Sequence, residues 1–337
     1  MKKHQIDLSK FQLRTDLAIE TIDNNLKKEI IEDDIKITYF NIDEKLGKKI
    51  NKKKGNYYTL EFNDITDFNY REDVKKIFSK YLKKLLELNN IDKDKSCLII
   101  GLGNEKSTPD SLGPKTIENI LVTNHLFLYG NVEEGFRRVS AIIPGVMGQT
   151  GIETSDIINS ICNNIDVDFI IVIDALASQS VDRLNRTIQM TDTGIHPGSG
   201  IGNGRKEISF DILKKQVIAI GVPTVVDAST IVTDTINYLY KHYFYNKKNI
   251  NKPSNKLTFG NINYLKKDIN IDLESKKELF GIIGNLDDLE LKQLFYEVLT
   301  PIGYNLMVTP KEVDFQIDLL SKVIGNGINE ALHEKVN

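Results

Sequence analysis

The chain has 337 residues, 40% of them hydrophobic, with 44 lysines and arginines against 47 aspartates and glutamates. Such a length and apolar content allow a sizeable core, and the formal charge of -3 argues against a nucleic-acid or anionic-membrane surface. No run reaches the roughly 18 apolar residues of a membrane span, and the opening Met1-Lys2-Lys3-His4-Gln5-Ile6-Asp7 has no apolar signal core, so a cytoplasmic protein is expected.

In chain order, residues 1–69 are rich in lysine, asparagine and glutamate and contain two strand-like pieces, Ile35 to Phe40 and Tyr57 to Phe62. The Lys52-Lys53-Lys54-Gly55 turn separates them, which predicts a hairpin beside a main sheet. Val74, Ile77, Phe78, Tyr81, Leu82 and Leu85 then recur at helical spacing within Tyr70 to Leu88, with lysines on the solvated face. Cys97 to Ile100 has the length and β-branched content of a buried parallel strand, and Gly101 and Gly103 let the backbone turn tightly behind it. The following loop carries Asp110, and Pro114 suits the first turn of a helix through Ile117, Ile120 and Leu121.

Further strands are expected at Val139 to Ile143, Phe169 to Ile173, Thr187 to Met190 and Val217 to Ile220, with helices at Ile152 to Ile165 and about Ala228 to Tyr243. Glu153 and Asp156 fall in the first turn of the former helix. Strands alternating with helices indicate an α/β fold: a mainly parallel twisted sheet with helices on both faces, a small N-terminal β extension and a helical C-terminal part. Residues from about Asn246 to Asp268 read as a polar connection, and Thr309-Pro310-Lys311-Glu312 as a capping box opening a helix to about His333. Cys97 and Cys162, without CxxC spacing, read as buried free thiols.

Two acids stand where α/β sheets bind ligands, beyond the carboxyl ends of strands: Asp110, and Asp174 at the end of the apolar run Phe169 to Ile173. If they approach, one protonated and one ionised aspartate can activate water against an amide, the base taking a water proton while the acid polarises the carbonyl. The bland alternative for Asp174 is a helix cap or a buried ion-pair partner. The glycine-rich stretch 194–204 holds His196, which either completes a two-carboxylate, one-histidine metal site, or hydrogen-bonds within its own loop or binds substrate backbone. Gly101-Leu102-Gly103 is no dinucleotide fingerprint, because Lys106 stands where the third glycine belongs, and no serine sits in a G-x-S-x-G elbow.

Several motifs together resemble the germination protease family of spore-forming bacteria. They include Arg14-Thr15-Asp16-Leu17-Ala18, Gly101-Leu102-Gly103-Asn104, Thr108-Pro109-Asp110, Pro144-Gly145-Val146-Met147-Gly148, Thr150-Gly151-Ile152-Glu153-Thr154-Ser155-Asp156, Ile173-Asp174-Ala175-Leu176-Ala177, Gly194-Ile195-His196-Pro197-Gly198-Ser199-Gly200 and Gly221-Val222-Pro223-Thr224-Val225-Val226-Asp227. The likeness covers nearly the whole chain. It implies an atypical aspartic endopeptidase without cofactor or metal, cytoplasmic in the spore core, that degrades small acid-soluble spore proteins at germination. It also implies a homotetramer without direct nucleic-acid or membrane binding. The essential acids map onto Asp110 and Asp174, with Asn104, Glu153 and His196 as supporting or substrate-binding candidates.

The same resemblance implies a self-processing zymogen. Thr15 to Glu20 looks like the cleavage sequence of the family's substrates, so residues 1–16 would be a propeptide cut between Asp16 and Leu17, a bond in a terminal segment expected to fray. Residues 17–337 would form one protease domain, with a β-rich part at 17–69, an α/β core at 70–245 and a helical part at 246–337. A more distant likeness, in Gly101-x-Gly103-Asn104, Asp110 and Asp174, is to hydrogenase-maturation endopeptidases, where matching acids and a histidine bind nickel. A non-enzymatic α/β ligand-binding module is the remaining alternative.

Overall fold

The computed structural model describes residues 15–130, 132–197, 206–249, 251, 272–299 and 306–334. These fall into two compact units, one of the residues up to Val225 together with those from Thr309 onward, the other from Val226 to Val308.

The larger unit is built on strands β1 (Lys28–Glu32), β2 (Ile35–Ile42), β3 (Gly55–Glu61), β4 (Cys97–Gly101), β5 (Val139–Ile142), β6 (Phe169–Ser178), β7 (Thr187–Thr191) and most of β8 (Gln216–Asp227). Their order in the sheet is β1-β2-β3-β7-β8-β6-β4-β5. β4 pairs parallel with β5 and with β6, whereas β1-β2, β2-β3, β3-β7 and β7-β8 are antiparallel. The fold is α/β as expected, and its sheet is mixed rather than mainly parallel, because the N-terminal strands extend the main sheet instead of lying beside it. The expected antiparallel pair of β2 and β3 forms, and its connection also holds a helix, α1 (Glu44–Ile50), capped by the Asp43 side chain accepting from Leu46 N–H and ended by Asn51 in the left-handed region.

Alternation along the strands divides the core. Cys97 and Ile99 of β4, with Phe169, Ile171 and Ile173 of β6, face one cluster; Leu98, Ile100, Ile170 and Val172 face another. The first face is covered by α2 (Phe68–Leu88), α3 (Leu112–Ile117) and the C-terminal helix. On the other lie α6 (Thr154–Asn164) and α7 (Phe210–Leu213), which follow the short α4 (Asn124–Leu128) and α5 (Met147–Thr150). The stripe Val74, Ile77, Phe78, Tyr81, Leu82 and Leu85 is buried on α2 as its spacing predicts. Each such side chain contributes about 1.5–3 kcal/mol by leaving water.

The smaller unit holds α8 (Ala228–Asn249), α9 (Leu273–Phe280), α10 (Asp288–Leu299) and β9 (Met307–Val308), which pairs antiparallel with the last residues of β8, Val226 and Asp227. Tyr240 is buried edge-on against Phe280 at 5.2 Å. The C-terminal part is helical as expected, and the polar connection lies largely outside the described residues, since α8 runs on to Asn249.

The capping box at Thr309 does not form. The last helix, α11 (Val313–Leu332), begins after Glu312, and the Thr309 hydroxyl instead donates to Thr224 O at 2.9 Å, because β8 runs alongside it. α3 likewise stops at Ile117, and Leu121 N–H donates to Asn329 Oδ1 on α11 at 2.9 Å.

Candidate active site

The site is built where β4 and β6 stop pairing. Gly101 is matched with Ile173 in the parallel register, and one bond further Leu102 N–H donates to Ile173 O at 2.8 Å. Beyond that bond the chains part, β4 turning away into the Asp110 loop while β6 continues through Asp174 to Ser178. Asp174 therefore does not end its strand, as the apolar run suggested, but is the first residue past the parallel ladder. Its parity with Ile170 and Val172 places it on the face of α6, and it is 5% exposed, its Oδ1 accepting from Ala175 N–H at 2.9 Å.

Asp110 is set by its loop. Asn104 N–H is shared between Asp110 O at 3.0 Å and Asp110 Oδ2 at 2.9 Å, so one amide fixes both the turn and the carboxylate. Gly103 is essential to this closure: its φ is +113°, and a Cβ there would stand 2.0 Å from Asp110 O. Gly101 serves the neighbouring contact, since its Cβ would meet Gly113 O of α3 at 2.4 Å. The turn Thr108–Asp110 packs on β6 and α11, and Thr224 of β8 fastens it by donating its hydroxyl to Pro109 O at 2.7 Å. Two acids that the sequence separates thus stand just past the carboxyl end of the β4-β6 ladder, the kind of position where an α/β sheet binds ligands.

Asn104 links this turn to the loop after β5, its Oδ1 accepting from Gln149 Nε2 at 2.6 Å and from Lys106 N–H at 3.0 Å. That loop presents Ile143, Met147 and Ile152 to solvent and leads into α6, where Glu153 is the N-cap residue rather than part of the first turn. Glu153 makes no side-chain cap bond, and its Oε1 is buried without a hydrogen-bond partner among the described residues.

The sequence model of the germination protease family matches residues 3–337. The chain belongs to the germination protease family. The germination protease of Bacillus subtilis (strain 168) is 48% identical over 360 aligned positions, covering 100% of this chain and 98% of that protein. That of Bacillus cereus (strain AH187) is 49% identical over 357 positions, covering 99% and 97%. Membership makes the chain a peptidase, and none of the described helices is long and apolar enough to cross a membrane.

His196 of this germination protease is half exposed, with Nε2 3.1 Å from Glu207 Oε2, and Glu207 also binds the Lys53 ammonium. Ile195 and Ile208 hold the two sides of that loop together through a pair of 2.9 Å backbone bonds, while residues 198–205 lie outside the described set. Among the described residues no group of three or more His, Cys, Asp and Glu is placed to hold a metal ion.

Asp16 and Leu17 are placed on the face that carries Asp174. Leu17 is packed at 0% exposure in a cluster with Phe40, Ile42, Tyr57 and Leu176, so the expectation of a frayed terminal segment is wrong from Thr15 onward. Apolar content in residues 17–22 matches a buried groove rather than a loose end. Sequence reasoning missed two residues here. Thr224 left no signal beyond its place in a motif, but Gln189 did: it is the lone amide in the strand Thr187–Thr191, at a position whose neighbours face the core.

Proposed function

We propose that this germination protease is an aspartic-type endopeptidase in which Asp110 and Asp174 act as a pair. The observation that carries the reading is the common position of both acids, immediately past the β4-β6 ladder, with the Asp110 turn packed on β6. Two carboxylates sharing one proton supply both parts of amide hydrolysis. The ionised partner removes a proton from water, the protonated partner donates toward the substrate carbonyl, and the proton lost by water is available to the leaving amine. Asn104 N–H holds the Asp110 carboxylate in place, and the exposed Ile143, Met147 and Ile152 offer an apolar rim for a substrate side chain.

The substrates are small acid-soluble spore proteins, consistent with a family named for germination. The enzyme works in the spore core as a homotetramer, is made as a zymogen and cuts itself between Asp16 and Leu17. Incubating the processed chain with purified acid-soluble spore proteins tests this: discrete cuts at an acidic residue followed by an apolar one are expected, and intact substrates would overturn it.

A further inference from the structure

The Asp16–Leu17 bond is held on both sides. Asp16 N–H donates to Ala177 O at 3.1 Å, and Ala177 N–H donates to Asp16 Oδ2 at 2.8 Å, so the segment is docked on the end of the strand that carries Asp174. Gln189, 7% exposed, spans the bond: its Nε2 donates to Asp16 O at 3.3 Å and its Oε1 accepts from Ala18 N–H at 2.7 Å. On the N-terminal side the Lys52 ammonium donates to Thr15 O at 2.6 Å. On the C-terminal side the Glu20 carboxylate, its side chain 7% exposed, accepts from Ser178 Oγ at 2.7 Å and Gln179 N–H at 2.9 Å, lies 3.4 Å from Arg183 Nε, and is bonded by the Thr15 hydroxyl.

A peptide bond must enter a protease in an accessible form, and Leu17 and Ala18, both 0% exposed, are closed off from any active site. Cutting therefore requires a local opening in which these polar contacts and the apolar packing are lost together. We propose that residues 15–20 form a strap latched to the sheet by Lys52, Gln189 and the Glu20 carboxylate, and that release of this latch sets the rate at which the Asp16–Leu17 bond is cut. The inference rests on that bond being the processed one. Water then adds across it, leaving a carboxylate on Asp16 and an amine on Leu17, and frees Ala177 and Lys52 from their partners.

The full-length parent, Lys52→Met and Glu20→Gln are compared in two assays, self-processing and cutting by an added endopeptidase specific for bonds after acidic residues. Appearance of the Leu17 N-terminus is followed by N-terminal sequencing. Each variant removes a hydrogen bond to a charged group, so each is expected to speed both reactions at this bond about tenfold, with other cut sites unaffected. Against a synthetic peptide of residues 13–22, the parent bond is expected to be cut at least about a hundredfold more slowly by the added enzyme. That comparison decides the matter if a variant loses its overall structure. Parental rates in both variants, in cutting by the added enzyme or in self-processing where it occurs, or a parent bond cut as fast as the peptide, would overturn the strap. Faster cutting by the added enzyme with no self-processing in any form would leave the strap standing and remove the self-cleavage reading.

Discussion

The two halves of the large sheet solve the problem of polar residues differently. In the parallel half, β5-β4-β6, both faces of the ladder are apolar, and the two candidate acids stand just beyond its end, where β4 turns away from β6. In the antiparallel half a polar row crosses the sheet interior, Thr38 on β2 paired with Thr59 on β3 and Thr59 with Gln189 on β7. That row faces the cluster of Leu17, Ala18, Ile19 and Ile22, and Gln189 is satisfied by the strap itself. The hydroxyls of Thr38 and Thr59 are buried without hydrogen-bond partners among the described residues. One half thus keeps its polar groups past the end of its ladder, while the other covers them with residues 17–22. Changes in the first should strike activity, and changes in the second stability and accessibility.

The largest separation is expected from Asp110→Asn and Asp174→Asn. Each is nearly isosteric and removes the proton exchange that water activation needs, so peptidase activity should fall by about 100-fold or more while thermal unfolding changes little. Turnover close to the parent in either variant would remove that residue from the proposed pair.

Gly103→Ala probes the same edge through the backbone. With φ at +113° and a Cβ aimed at Asp110 O, the turn must shift, at a cost of about 1–3 kcal/mol in denaturant unfolding and a clear loss of activity. An active, fully stable variant would show that the Asp110 turn is not fixed by this closure. In the antiparallel half, Gln189→Leu leaves Ala18 N–H without its acceptor and should cost about 1–3 kcal/mol. Here the expected ratio is reversed, with stability affected more than the activity of an already processed enzyme.

A pH-dependent effect sits at the opposite, amino edge of the parallel half. His333 is buried against Phe136, its Nδ1 accepts from Arg137 N–H at 3.1 Å, and burial, opposed by a backbone bond at Leu121 and aided by the Arg137 charge, pushes its pKa below 6.5. Well above pH 6.5 the ring is neutral in both states. As pH falls below that, the unfolded chain takes up the proton first, so folding stability declines until the folded-state pKa is passed. Unfolding curves between pH 7 and 5 should show this slope, and His333→Gln should flatten it. The smallest effect is expected from His196→Ala, whose half-exposed contact with Glu207 is worth under about 1 kcal/mol. Activity should drop less than in either aspartate variant, and an equal drop would return His196 to the chemistry.

Much of the parallel half was legible before any coordinates. Cys97 to Ile100 and Phe169 to Ile173 are apolar runs of strand length, and the acids after them mark the edge. The antiparallel half is less legible. Lys28–Glu32 alternates too weakly to announce β1, and Gln216–Asp227 passes through Gly221 and Pro223, so the sequence predicts a strand end at Ile220. The apolar run that ends before Asp174 suggests a strand end there, although the strand runs on to Ser178.

What the sequence determined by itself is what near neighbours encode: the helical stripe of α2, the buried strands, the glycines that let the Asp110 loop close, and the motifs that mark the family. Those signals live in spacings of two, three or four residues, set by the strand and helix repeats. The tertiary structure decided which partner each polar group finds. Gln189 meets Ala18, Thr309 turns from capping a helix to bonding Thr224, and Lys52 reaches Thr15, because strand order and register bring distant segments together. A donor carries no local mark of a distant acceptor; burial alone, by making an unpaired polar group costly, enforces the match once the chain has folded.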